Sequence, residues 1–248
     1  MFKRSGFTLI ELLVVVSIIA LLMAILMPAL QRVKRQSMAV ACQSNLRQWG
    51  LYFSIYTDDN DGYFQREWNM AADRTWSWMS VLRPYYIQSR QILCCPTAKK
   101  PANEGGRVPF VAWNNFYNER GSYGINIWVS NPPPGREGGK PSANYWRRRD
   151  VSGAANIPLF LDDLWWDTRP HHTDVPPEFE GQVDDWTTNA MKMLCINRHN
   201  GFTNGVFADF STRKVGLKEL WSLKWHRNFD INADPPVWPS WMRNFKNY

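Results

Sequence analysis

Residues 7–30 read FTLIELLVVVSIIALLMAILMPAL and contain one charged side chain, Glu11. As a helix, these 24 residues span about 36 Å at about 1.5 Å per residue, which exceeds the roughly 30 Å of a bilayer's hydrocarbon core. The apolar core of a secretory signal peptide is shorter, about 7 to 15 residues. We therefore predict one transmembrane helix at residues 7–30.

The charges around this run predict its orientation. Lys3 and Arg4 precede it, and positive residues favour the cytoplasmic side of a membrane. Three more positive residues, at 32, 34 and 35, weaken this bias, although the translocation of a long domain depends little on such charges. We expect a single-pass protein of the inner membrane with residues 1–6 in the cytoplasm and the carboxy-terminal domain in the periplasm or outside the cell.

Glu11 lies four residues inside the apolar run. A carboxylate at the centre of a membrane helix costs about 2.5 to 3.5 kcal/mol, less near the interface, so it usually has a partner. Cleavage after Gly6 would place a new amino group on Phe7, one helical turn from Glu11. The amino group of a neighbouring chain could also reach Glu11 after a small axial shift, which would neutralise two charges in lipid and set the register between subunits.

Residues 3–15, KRSGFTLIELLVV, resemble the cleavage and methylation signal of type IV prepilins and of type II secretion pseudopilins. The resemblance implies that a prepilin peptidase cuts between Gly6 and Phe7 and methylates the amine of Phe7, and that Glu11 guides assembly. Pro28 lies where such helices often carry a proline that kinks or melts a turn. This resemblance covers only about the first thirty residues.

Residues 31–57 keep the helical pattern, but their apolar side chains form a stripe along one side only. This stripe predicts that the helix continues as an amphipathic helix and packs on a carboxy-terminal sheet. Gly50, inside this helix, marks a close approach of the helix to another part of the chain. We therefore predict an α+β, pilin-like fold, in which the helix lies against the antiparallel sheet of a globular domain at residues 58–248, with long loops. The apolar side chains of the stripe, at steps of three and four, are Ala39, Cys42, Leu46, Trp49, Phe53 and Tyr56.

After Gly62, short apolar runs alternate with long breaks rich in Pro and Gly. The pattern predicts loops at 131–143 and 162–186 and a tail at 225–248 that wraps the body. The predicted regular elements are helices at 76–82 and 217–223, strands at 123–129 and 157–161, and a hairpin of 191–196 with 205–210.

A second resemblance rests on Cys42 with the following NLRQ, on Cys95-Pro96, on SYGIN at 122–126, and on His199 with Asp209 ten residues later. These features are similar to those of bacterial pseudopilin-like proteins with an H-X9-DG signature. Phe210 stands where that signature has glycine, so the chain departs from the signature at the tight turn expected after Asp209. The group implies a fold and an export pathway and says little about a ligand.

Two groups of residues that contain histidine are candidate sites. His199 and Asp209 would face each other across the predicted hairpin, where a structural hydrogen bond is favoured over base catalysis or metal binding. His171 and His172 lie near Asp174 and near Asp162-Asp163, but adjacent histidines lack the i, i+4 spacing of a helical metal pair. The sequence leaves the metal content unknown.

The acidic turn at 58–62, DDNDG, fails as an EF-hand because alignment on Gly62 places Trp68 where a glutamate ligand belongs. A structural calcium ion of another geometry is the alternative to a solvated turn, and we expect no other cofactor.

The cysteines lie on the predicted outer side of the membrane, where disulfides persist. Cys42 and either Cys94 or Cys95 would join helix to body, and a bridge between Cys42 and Cys95 is favoured over buried free thiols.

The remaining features bear on the class of function. The net charge of +7 is dispersed, so we expect no nucleic-acid partner. No nucleophile elbow or phosphate-binding loop is present, so we predict a protein that is not an enzyme. We expect a pseudopilin-like structural subunit whose partners are prepilin peptidase, other pseudopilin subunits and the inner membrane. The alternative is an anchored binding protein that never polymerises, with exposed tryptophans such as Trp165, Trp166, Trp238 and Trp241 stacking on sugars instead of filling the core.

Overall fold

Helix α1 spans Leu9–Asp58 in the computed structural model, which describes residues 8–66, 75, 77–115, 117–183 and 188–247. The chain divides into two compact units, Met1–Met38 and Ala39–Tyr248.

The part of α1 in the first unit is apolar on every side from Leu9 to Leu30, with Glu11 as its one charged residue. The helix continues through Pro28 without interruption. The large apolar side chains from Leu9 to Val33 are exposed, which suits a segment surrounded by lipid. By its length and composition, α1 is able to cross a membrane, as predicted.

The second unit is built on a mixed sheet of five strands in the order β5-β3-β4-β6-β7. Neighbouring strands pair antiparallel except β3 and β5, which are parallel, so the predicted antiparallel sheet has one parallel edge. These strands are β3 at Tyr123–Asn126, β4 at Pro158–Asp162, β5 at Asp167–Thr168, β6 at Phe202–Phe207 and β7 at Thr212–Gly216. A separate antiparallel pair consists of β1 at Trp113–Asn114 and β2 at Arg120–Gly121.

The remaining helices are short. The α-helices are α2 at Trp78–Val81, α3 at Arg83–Tyr86 and α4 at Met191–Leu194. The 3-10 helices whose full bounds lie in the described ranges are Ile87–Leu93, Ala102–Glu104, Ile127–Val129, Ser142–Asn144, Ala154–Asn156, Lys218–Ser222 and Ser240–Met242. The helix predicted at 76–82 corresponds to α2, with Trp76 outside the described residues, and that at 217–223 corresponds to the 3-10 helix Lys218–Ser222.

The second half of α1 packs on the sheet through the predicted stripe, and this confirms the α+β class. Trp49 lies at the centre, fully buried, with its ring centroid 5.0 Å from that of Phe160 on β4 and 5.3 Å from that of Trp78 on α2. Its indole N–H donates to the carbonyl oxygen of Ile92 at 2.9 Å. The buried members of the stripe are Ala39, Cys42, Leu46, Trp49 and Phe53.

One strand prediction was wrong, and another extended too far. Residues 191–196 include helix α4 instead of a strand, because this run is buried on all sides and has no alternation to distinguish strand from helix. The actual hairpin joins β6 to β7, and Asp209 nucleates its turn by accepting hydrogen bonds from the N–H and hydroxyl of Ser211. The strand predicted at 123–129 ends at Asn126, whose side chain accepts from the N–H of Trp128 and starts a 3-10 turn.

The segment 162–186 was predicted to be a surface loop, and this was wrong for its first half. Asp162 ends β4, Asp167 belongs to β5, and both carboxylates are buried. The tail at 225–248 agrees better with the prediction that it wraps the body, since its residues Trp225, Phe229 and Met242 belong to the hydrophobic core.

Gly50 allows α1 to approach the turn between β6 and β7. A Cβ atom at this position would lie 2.9 Å from the backbone oxygen of Phe210 and 3.3 Å from Cγ1 of Val206. We expect Gly50→Ala to lower the free energy of unfolding, because an overpacking cost of about 1 to 3 kcal/mol exceeds the gain of about 1 kcal/mol in helix propensity. Urea denaturation of the full chain in detergent measures this.

Ser44→Ala is the matched control, since Ser44 is exposed on the same helix. An equal or higher stability of Gly50→Ala relative to this control would contradict the close approach.

Candidate functional site

The predicted processing site lies at the edge of the described chain. Gly6 and Phe7 fall outside the described residues, which begin at Thr8. Thr8 and Glu11 form a reciprocal pair at the start of α1: the N–H and hydroxyl of Thr8 donate to Oε2 of Glu11 at 2.9 and 2.8 Å, and the N–H of Glu11 donates to Oγ1 of Thr8 at 3.2 Å. This is a capping box, which satisfies two N–H groups that a helix start leaves unpaired.

Four side chains from separate elements meet in the core of the second unit, and we call them the Cys-Asp-His cluster. One Sγ, N or O atom from each lies within 4.8 Å of the others. Helix α1 contributes Cys42, the segment after the 3-10 helix Ile87–Leu93 contributes Cys95, the end of β4 contributes Asp162, and the turn before β6 contributes His199.

His199 is the centre of this cluster. Its Nε2 lies 3.3 Å from Oδ2 of Asp162 and 3.4 Å from Sγ of Cys95, and its side chain is 3% exposed. The Sγ of Cys42 lies 3.6 Å from the same Oδ2. The turn that orients His199 contains Asn200 and Gly201, both with positive φ.

Arg198 pairs with the carboxylate of Asp162 at Oδ1, whereas His199 pairs with it at Oδ2. Its guanidinium, fully buried, lies 3.1 Å from Oδ1 of Asp162. The other four N–H groups donate to the backbone oxygens of Pro109, Val111, Ser122 and Asp163. All five donors of the side chain are therefore in use.

Contacts among the members of the cluster, together with Arg198, shift the pKa values of Asp162 and His199 strongly. Burial opposes ionisation of Asp162, but His199 and Arg198 outweigh it and hold the pKa of this carboxyl well below its usual range. Burial also disfavours protonation of His199, but the charge and hydrogen bond of Asp162 raise the pKa of His199 to about 10.

The two thiols of the cluster differ. Burial, the hydrogen bond with Cys95 and the charge of Asp162 raise the pKa of Cys42 well above its usual value. Burial acts the same way on Cys95, but hydrogen bonds from Cys42 and His199 outweigh it and lower the pKa of Cys95 to about 6. The arrangement therefore favours a thiolate at Cys95 beside a protonated His199.

The predicted pair of His199 with Asp209 was wrong. The two residues flank opposite ends of β6, which are about 20 Å apart at about 3.3 Å per residue. Asp209 is exposed and binds Ser211, while His199 binds Asp162.

Cys42 and Cys95 lie together as the predicted bridge requires, and the structure records all four cysteines as free thiols. The disulfide stays a prediction. Among the remaining cysteines, Cys94 donates to the backbone oxygen of Arg120 at 3.4 Å, and Cys195 is buried.

A second group of potential ligands joins the predicted pair His171 and His172 to His226, again with ligand atoms within 4.8 Å. Asp174 accepts hydrogen bonds from the N–H groups of His171 and Met191 and is not in this group. His226 is 1% exposed, and neither of its ring nitrogens has a hydrogen-bond partner within the described residues.

The acidic turn after α1 faces arginines. Asp58 forms an ion pair with Arg149, so a calcium ion would have to compete with that positive charge. The turn is not one of the two ligand clusters found in the part of the chain that the structure describes.

The tryptophans considered for sugar binding mostly contact other aromatic rings. Trp165 stacks on Trp166 with ring centroids 3.8 Å apart, and Trp241 packs edge-on against Phe245 at 5.8 Å. Trp238 is half-buried against Trp221 at 5.3 Å.

Sequence reasoning missed Arg198 and the role of Asp162, and it missed the capping box. Asp162 and Asp163 directly follow the strand predicted at 157–161, and Arg198 adjoins His199. Opposite charges beside apolar runs could have indicated a buried ion pair. Thr8 three residues before Glu11 matches the S/T-x-x-E pattern of a capping box.

Arg198→Lys tests the importance of the five donors, because lysine keeps the charge but has three donors in a different geometry. At least two buried acceptors lose their partner, so we expect the free energy of unfolding to fall by at least about 2 kcal/mol. Urea denaturation measures this, and Arg148→Lys, in an exposed pair with Asp150, is the control that should change little. An equal loss of stability from Arg198→Lys and Arg148→Lys would contradict the importance of the five Arg198 donors.

The lowered pKa of His226 predicts that the stability of the folded chain depends on pH in the acid range. Burial and the charges of His171 and His172 lower its pKa to about 4 in the folded chain, against about 6.5 when unfolded. The unfolded state binds the extra proton between these values, so this residue makes stability fall as pH drops from about 6.5 to 4. Unfolding of the wild type and of His226→Phe across this range should diverge; parallel curves would show that His226 does not titrate as described.

The comparisons with known proteins agree with the amino-terminal geometry. Residues 1–27 match the family model described as the prokaryotic N-terminal methylation motif. No curated protein and no solved structure matches the chain significantly. The motif implies processing by prepilin peptidase and association with the membrane, and together with the long apolar α1 it is consistent with a single-pass membrane anchor. The chain thus carries a prepilin-type signal at its amino terminus.

Proposed function

We propose that the chain is a pseudopilin-like structural subunit. The observation that carries this proposal is the methylation motif at residues 1–27, which overlaps the start of a helix with exposed apolar side chains from Leu9 to Val33. Such a helix has no polar face for water and needs lipid or other helices around it. In this proposal, processed subunits bundle through α1 into a periplasmic or surface filament linked to type II secretion or to type IV pilus-like machinery.

The proposed topology places the leader in the cytoplasm and the second unit in the periplasm or outside the cell. Lys3 and Arg4 support this orientation through the positive-inside rule. Prepilin peptidase would cut between Gly6 and Phe7 and methylate Phe7. The other partners would be further pseudopilin subunits.

Glu11 has two roles in this proposal. Both bonds that it accepts from Thr8 end on Oε2, so the capping box engages one of its oxygens. The carboxylate still carries a full charge, because hydrogen bonds from neutral groups do not cancel it. The methylated amine of Phe7 on a neighbouring chain would supply the opposite charge in lipid.

The proposal includes no catalytic centre. A cysteine beside a histidine is the arrangement of many nucleophilic enzymes. Here Cys95 is fully buried and the side chain of His199 is 3% exposed, so a substrate has no access to the pair in the folded unit.

The second candidate function is an anchored binding protein, with a glycan as the ligand. A cavity of about 370 Å³ supports it, lined by Trp221, Trp238, Asp230 and Lys218 among others. An aromatic wall beside charged groups suits the apolar face and the hydroxyls of a sugar.

Matched substitutions at the capping box test the proposed assembly. Glu11→Gln keeps a capping side chain but loses the charge, whereas Thr8→Val removes the capping hydroxyl and keeps the charge. A photo-crosslinking residue at the exposed position Leu22 should give a ladder of multimers in cells for the wild type and for Thr8→Val. The ladder should be lost for Glu11→Gln and for Glu11→Ala, with all variants still in the membrane.

Intact mass and amino-terminal sequencing give the second measurement. We expect mature protein that begins at methylated Phe7. A chain that keeps Met1, or one that has lost the whole apolar run, would contradict processing. Monomers alone in the wild type would favour the anchored binding protein, and a ladder with Glu11→Gln equal to that of the wild type would limit Glu11 to capping.

A further inference from the structure

We infer that the Cys-Asp-His cluster binds one zinc ion that ties the four elements of the second unit together. Thiolate sulfur, imidazole nitrogen and carboxylate oxygen are all ligands of Zn²⁺ in proteins, and the four donors present here match the tetrahedral coordination of structural zinc. The inference does not depend on the proposed function, because the cluster lies entirely within the second unit.

The separations between the donor atoms fit a tetrahedron. Zinc bonds of about 2.3 Å to sulfur and about 2.0 to 2.2 Å to nitrogen and oxygen place neighbouring donors about 3.3 to 3.8 Å apart. Nε2 of His199 lies 3.3 Å from Oδ2 of Asp162 and 3.4 Å from Sγ of Cys95. Sγ of Cys42 lies 3.6 Å from that Oδ2. These three separations connect all four donors, and the other pairs lie within 4.8 Å.

Surrounding groups hold the donors in position, as around most metal sites. Arg198 engages Oδ1 of Asp162 and leaves Oδ2 directed at the cluster, where the N–H of Asn204 also donates to it at 3.0 Å. The hydroxyl of Tyr123 donates to Sγ of Cys42 at 3.3 Å, and Oγ1 of Thr97 lies 3.0 Å from Sγ of Cys95.

Charge and burial also suit a bound zinc ion. Two thiolates, one carboxylate, Zn²⁺ and the guanidinium of Arg198 sum to zero, which avoids an uncompensated charge in the core. Four protein donors leave no open position and the cluster is buried, so the site is structural and not catalytic.

The test uses the full chain, purified in detergent without a metal-affinity resin, chelator or reductant. Elemental analysis should find about one zinc per chain. Cys95→Ser should lose most of this zinc. Cys94→Ser, which removes the neighbouring thiol, should keep it. Replacing zinc with Co²⁺ in the wild type should give the near-ultraviolet absorption of cobalt-thiolate bonds, a readout that requires no variant to fold.

Three outcomes would overturn the inference. One is a chain without zinc and without cobalt-thiolate absorption. The second is an intact mass that shows a disulfide between Cys42 and Cys95, because sulfurs in a disulfide are not thiolate ligands. The third is metal that persists in Cys95→Ser without thiolate absorption, which would place it at His171, His172 and His226.

Discussion

The second unit depends on how one buried carboxylate, Asp162, is neutralised. Asp162 ends β4 in the middle of the sheet order and is fully buried, where an unpaired charge would be very costly. Arg198 and His199 both reach it from the segment before β6. The same guanidinium donates to backbone oxygens of three segments, at 109–111, 122 and 163. The side chain that pairs with Asp162 therefore also joins these three segments to the end of β4.

The distribution of apolar side chains on helix α1 changes along its length. From Leu9 to Val33 its apolar side chains point in all directions. From Ala39 onward the apolar residues form a single stripe against the sheet, centred on Trp49. The first pattern is that of a helix in lipid and the second is that of a helix on a globular core. The methylation motif at residues 1–27 belongs to the first part.

The elements that were predictable from the sequence have strong periodicity. The apolar run and the stripe predicted α1 within two residues at its start and one at its end, and the α+β class followed. The β6-β7 hairpin was not predictable from alternation, because β6 is buried on both faces at five of its six positions. The site was found only in part: Cys42, Cys95 and His199 were singled out, but Asp162 replaced Asp209 as the partner of the histidine. Long-range pairing of this kind depends on tertiary contacts between residues 36 and 37 positions apart, which spacing along the chain does not reveal.

The capping box at the start of α1 has a consequence for maturation. Thr8 and Glu11 both lie on the carboxy-terminal side of the predicted cut between Gly6 and Phe7. Both members of the capping box would therefore remain in the product after removal of six residues. The cut would create a new terminal amine without taking away either side chain that caps α1.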